Sequence, residues 1–229
     1  SLHDALPIYF DAYSDLRWYV RRGGSDRDTI RDALRTWITL MMPITPHMAE
    51  EMWEAAGFEG MASEALLPEP SGHSPAAEYG EGLVRDVISD ISKISRMIGT
   101  GSGKVTLFTY PSWKGEVVRK ALSIMGPEGV SIPDLTKACM RDPEMRKRGK
   151  AVPDYVKSVA TDLRRLPAAL VSAKVEADEG SILSDAAAFI GSELGCEVSV
   201  MSADDPSAKE LSGGKPAQAV PGRPAIVIS

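Results

Sequence analysis

Nine basic side chains crowd one stretch of this sequence: Lys137, Arg141, Arg146, Lys147, Arg148, Lys150, Lys157, Arg164 and Arg165. Only four acidic ones interrupt them, Asp142, Glu144, Asp154 and Asp162, so residues 137–165 carry +5 within a chain of net charge −6. An acidic total argues against a general nucleic-acid binder. A concentrated positive field can still draw phosphate locally while the remaining surface repels nonspecific polyanion. The competing reading is a solvated helix face and loop, the ordinary fate of a charge run. The concentration of charge favours a phosphate-contacting surface. Tyr155 is the one aromatic residue in the stretch, so recognition of backbone and shape is expected over base stacking.

Other residue groups offer less chemistry. Gly99–Lys104 is rich in glycine, but a phosphate loop needs Gly, four residues, then Gly-Lys-Ser/Thr between strand and helix. Here Val105 follows Lys104, and the expected order is helix, turn, strand. The histidines His3, His47 and His73 meet no nucleophile elbow and no HExxH pattern. Glu50 and Glu54 lie one helical turn apart and are expected simply to face solvent. Cys139 and Cys196 lack metal-ligand spacing and read as small apolar side chains, which fits a reduced, cytoplasmic compartment. No catalytic, cofactor-binding or metal-binding residue is nominated.

The elements that must position the basic cluster follow from periodicity. Tyr9, Ala12, Tyr13, Leu16, Tyr19 and Val20 form one helical face, ended by Gly23-Gly24. A second helix, capped by Ser25, runs to about Met42. A third begins at Thr45 as cap and Pro46 as first residue, and ends at Gly57. Residues 1–60 thus read as a helical bundle and 61–75, rich in Gly, Pro and Ser, as a linker. Residues 76–229 read as a mixed α/β domain. Its expected helices cover about 76–98, 112–125, 131–140, 153–166 and 181–194. Its expected strands cover 104–110, 197–201 and 224–228, with a loop of about one helical turn over 209–221. The fold class is α+β: a helical bundle, then a small α/β domain of about three strands.

Helical patterning becomes clear only near Tyr9, so the first eight residues read as a cloning or assembly junction. A start at Ser1 in apparent mid-helix reads as a piece of something longer. No run of about 18 apolar residues predicts a membrane span, and acidic residues near the N-terminus interrupt any signal-peptide core.

The block Thr36-Trp37-Ile-Thr-Leu-Met-Met42-Pro43-Ile44-Thr45-Pro46-His47-Met48-Ala49-Glu50-Glu51-Met52-Trp53 resembles the anticodon-binding helical domain of class I aminoacyl-tRNA synthetases for Leu, Ile, Val and Met. Three later blocks narrow the resemblance: Val105–Lys114, Val152–Val156 and Pro221–Ile228. In order and spacing they resemble the C-terminal domain of archaeal and eukaryotic-type leucyl-tRNA synthetases. The family ends in an acidic residue where this chain has Ser229. Isoleucyl and valyl enzymes, or a free-standing RNA-binding module, are the alternatives.

The resemblance implies a parent enzyme that joins leucine to tRNA(Leu) with ATP and Mg, acting as a cytoplasmic monomer, with catalytic and editing domains upstream. The HIGH- and KMSKS-type signatures of the ATP site are absent from these residues, so the piece itself is expected to be non-catalytic, with no cofactor of its own. The resemblance also implies that this part holds tRNA at its long variable arm, through the tail strand Ala225, Ile226, Val227 and Ile228.

Overall fold

The computed structural model describes residues 2–229 except Pro68, Pro70, Ser71, His73, Thr100, Gly101, Ser102, Pro127, Glu128, Pro167 and Gly213, and no side chain among residues 2–8, Ala168, Lys209, Leu211 and Ser212. Parts of the expected linker and of the glycine-rich turn, together with His73 and the side chain of His3, therefore lie outside the description. The chain forms two compact units, Ser1–His73 and Ser74–Ser229.

The first unit is built from α1 (Leu2–Arg21), α2 (Arg27–Met41) and α3 (Pro46–Ala55). Helical backbone extends to Leu2, through the residues read as a junction. Asp26 rather than Ser25 caps α2, its carboxylate accepting from Thr29 N–H at 2.7 Å. Thr45 precedes α3, but its hydroxyl caps nothing and pairs instead with the Tyr9 hydroxyl. Ile38, Met41, Ala49, Trp53 and Ala62 form the buried centre. Glu50 departs from the expectation of a solvent-facing carboxylate. Its oxygens accept from the N–H groups of Ala62 and Ser63 at 2.8 and 3.0 Å, seating a 3-10 turn, Ala62–Glu64, inside the segment read as linker. Hydrogen bonds from the Ser63 side chain first, then from the Ala62 and Ser63 N–H groups, hold the Glu50 carboxyl below its usual range.

The second unit opens with α4 (Pro75–Ile98), capped by the Ser74 hydroxyl and closed by Gly99. Strands β1 (Lys104–Thr109), β2 (Glu197–Ser202) and β3 (Ala225–Ile228) form one sheet in the order β2-β1-β3. The β1–β2 pair is parallel, with Val105 opposite Val198. The β1–β3 pair is antiparallel, with Thr106 opposite Val227. Val105, Leu107 and Phe108 are buried in the central strand, as expected when both faces of a strand are covered.

Between β1 and β2 run α5 (Ser112–Ile124), α6 (Ile132–Met140), α7 (Pro143–Lys147), α8 (Ala151–Arg165), α9 (Ala168–Glu176) and α10 (Glu179–Leu194). After β2 come α11 (Pro206–Ser212) and a 3-10 turn, Lys215–Gln218. Three of these helices, α7, α9 and α11, are absent from the sequence reading. Val117, Leu135, Cys139, Met145, Val156 and Val171 belong to one apolar core that joins α5 through α9.

Helix α10 meets the sheet at Gly191, where an added Cβ would stand 2.6 Å from the backbone oxygen of Cys196. Helix propensity alone favours alanine by about 1 kcal/mol. The collision is with backbone that the β1–β2 ladder holds, so it outweighs propensity. Gly191→Ala is expected to lose about 1–3 kcal/mol, the usual scale of overpacking, read as a lower urea midpoint for the second unit. A raised midpoint would show that propensity wins.

Candidate nucleic-acid interface

Helices α6, α7 and α8 and the turns between them carry the basic cluster, and each of its side chains is exposed. Arg141 is the C-terminal cap residue of α6. Arg146 and Lys147 occupy the last turn of α7, and Arg148 follows it. Lys150 stands immediately before α8, and Lys157, Arg164 and Arg165 lie along that helix. The cationic residues are exposed, while Leu135, Met145, Val152, Val156, Val159 and Leu163 bury the opposite sides of the same elements. Charge outward and aliphatic carbon inward is the amphipathic division that fixes each helix. It explains why a run of arginine and lysine folds here.

The cations are committed to different degrees. Lys147 pairs with Glu144 at 2.5 Å and Lys157 with Asp154 at 3.6 Å, both on exposed side chains, where such pairs contribute little and yield readily to a phosphate. The Arg146 guanidinium donates to the Met140 carbonyl at 3.0 and 3.2 Å, satisfying a chain end of α6. Arg148 lies over the Trp113 ring, 5.4 Å from its centroid. Arg141, Lys150, Arg164 and Arg165 have no acidic partner among the described residues. None of these heads is locked into a buried ion pair among the described residues.

The tail residues Ala225, Ile226, Val227 and Ile228 are all half-buried in an edge strand, a different element from the helical surface. The turn that feeds this strand does approach α8. Val220 and Pro221 line a small cleft, about 50 Å³, with Tyr155, Ser158, Val159 and Asp162 of α8 and Lys174 of α9. Two buried ionisable groups fix that turn. The Lys114 ammonium donates to the carbonyls of Ala217 and Ala219, each at 2.7 Å. Glu179 accepts from Tyr79 O–H at 2.6 Å and Gly222 N–H at 2.5 Å through one oxygen. Gly222 reaches that oxygen with φ +80°, a conformation that favours glycine. Sequence reading missed Trp113, Lys114 and Glu179. Lys114 and Glu179 look like surface charges until the chain 100 or more positions away closes over them.

The described residues thus form a helical bundle in the first unit and a mixed α/β unit that carries exposed cationic residues on α6, α7 and α8. Residues 1–105 match the anticodon-binding domain of tRNA ligase. The match runs past the boundary between the two units into α4 and the start of β1.

The chain is similar to the leucine--tRNA ligase of Methanococcoides burtonii, 36% identical over 226 residues, which are 96% of this chain and 23% of that protein. The leucine--tRNA ligase of Methanocaldococcus jannaschii is 32% identical over 230 residues, 100% of this chain and 22% of the relative. That of Pyrococcus abyssi is 33% identical over 232 residues, 96% and 22%. The chain is thus homologous to the C-terminal region of archaeal leucine--tRNA ligases and spans under a quarter of their length.

Proposed function

We propose that this chain grips and orients tRNA(Leu) for a leucine--tRNA ligase that joins leucine to its tRNA with ATP. The observation that carries this reading is the concentration of exposed cationic residues on α6, α7 and α8, in a chain similar to the leucine enzymes across both of its units. Lysine and arginine gain affinity for RNA by releasing condensed counterions. Acidic flanks in the sequence confine that gain to one segment of the chain. The β3 tail, fed by the turn beside α8, reaches the long variable arm in this reading. No side chain here need touch leucine or ATP. Holding the elbow side of a folded RNA places its distant acceptor end, and placement of a reactant contributes to rate without chemistry at the holding site. The catalytic and editing domains and the ATP–Mg site belong to the remainder of the ligase, which acts as a cytoplasmic monomer. No helix among the described residues is long and apolar enough to cross a membrane.

Arg141, Lys150 and Arg165 are the clean positions for a test, since none has an acidic partner among the described residues. Changing all three to alanine is expected to lower the slope of log affinity against log salt by about 2–3, at close to one unit per lost phosphate contact. Affinity for a tRNA(Leu) transcript at low salt is expected to drop at least tenfold, and a transcript without the long arm should bind the wild-type chain more weakly. Filter binding across a salt series reads both. An unchanged slope would remove the physical basis of the proposal.

A further inference from the structure

The expectation of backbone and shape recognition over base stacking came from a single aromatic residue in the basic stretch. The fold supplies a second. Trp113, at the start of α5, is half-buried and lies 35 positions before Arg148 in sequence, yet the Arg148 guanidinium sits over its ring, 5.4 Å from the centroid. The Tyr155 ring meets the indole edge-on, with centroids 5.5 Å apart and planes at 73°. Trp113 also packs against the apolar core of α5 through α9. Its orientation is therefore fixed before any ligand arrives. Arg148 is exposed and has no carboxylate partner among the described residues.

We infer that Trp113 and Arg148 form a stacking step for one unpaired nucleobase of the bound RNA, flanked by phosphate contacts to Lys147 and Lys150. This rests on the proposed tRNA grip and deepens it. A planar guanidinium seated over an aromatic ring offers a base a face to stack on, and the ring beneath it resists displacement. Every base has a π-face, so the step recognises that a nucleotide is unstacked rather than which nucleotide it is. An ordinary surface arginine would contribute only charge. The distinguishing quantity is therefore what remains when charge is kept and the plane is lost.

Arg148→Lys makes that separation at an exposed position where folding is not at stake. The 229-residue chain and this variant are titrated with two RNAs, a tRNA(Leu) transcript and a blunt 20-base-pair RNA duplex with no unpaired base. The expected result is at least about fivefold weaker binding of the transcript by Arg148→Lys, from the stacking share of affinity. The salt slope and the duplex affinity should stay as in wild type. The transcript should also quench the tryptophan emission that is present in wild type and missing from Trp113→Phe. If Arg148→Lys binds both RNAs as the wild type does, the stacking step is overturned while the grip stands. If the wild-type chain binds neither RNA, the grip itself fails and the step falls with it.

Discussion

Replacing Glu179 with alanine is expected to destabilise the second unit by about 2–4 kcal/mol, the scale of two buried donors left without an acceptor. Glu179 is 2% exposed, and a single carboxylate oxygen serves both the Tyr79 hydroxyl and the Gly222 amide. Its second oxygen is buried and has no hydrogen-bond partner. Burial pushes the Glu179 carboxyl up from its ordinary range, against the lowering pull of the Tyr79 and Gly222 bonds and of Lys174. A carboxyl whose folded value is raised binds its proton more tightly in the folded chain. Its contribution is fully present below the unfolded value, near 4.3, and is lost as pH climbs through the folded one. Glu179→Gln keeps an acceptor for both donors and removes the charge. Its stability relative to wild type should therefore rise steadily from pH 4.5 to neutral pH. Urea midpoints of the second unit at several pH values test both variants. Parallel profiles for wild type and Glu179→Gln would show that the carboxyl is not strained by its burial.

Glu179 also marks where sequence reading stops. All three strands and the long helices were legible, because their apolar spacing matches the period of the element that forms. The short helices were not. In α7 the Asp142-Pro143 start is a correct cap signal, but five residues hold no period to count. In α9, Ala-Ala-Leu-Val-Ser-Ala-Lys-Val-Glu buries Val171, Ala173 and Val175, which does not follow a helical stripe. Local capping was misread where two candidates adjoined, as at Ser25 and Asp26, or where a distant hydroxyl competed, as Tyr9 does for Thr45. The exposure of the cationic stretch was readable because charge density survives as a one-dimensional signal. The Trp113–Arg148 contact was not, since it joins α5 to the turn after α7, and their meeting depends on the packed core between them.

The segment entering β3 is held by two opposite charges, and the cation offers the second large effect. Lys114→Met is expected to destabilise the second unit by about 2–4 kcal/mol, because two carbonyls lose a charged donor inside the fold. Methionine supplies nearly the same length of apolar chain, so the loss reports the ammonium and not a cavity. The lysine is 6% exposed, and its head reaches Ala217 and Ala219 while lying 5.3 Å from the Tyr155 ring centroid. Burial lowers the tendency of this amine to hold its proton. The folded chain therefore sheds that proton at lower pH than the unfolded chain does, and the penalty for burying the charge is relieved as pH rises toward the ordinary lysine value of 10.5. Wild type should gain on Lys114→Met between neutral and mildly alkaline pH, if the neutral amine still donates to either carbonyl. Amide exchange gives the local readout: the Arg223 N–H, bonded to Val220 O at 2.8 Å, should open faster in the variant, while the Ala62 and Ser63 amides of the first unit keep their rates. Unchanged exchange at Arg223 together with an unchanged urea midpoint would mean that the sheet alone holds the tail strand. The strand that the proposed function extends toward RNA would then owe nothing to Lys114.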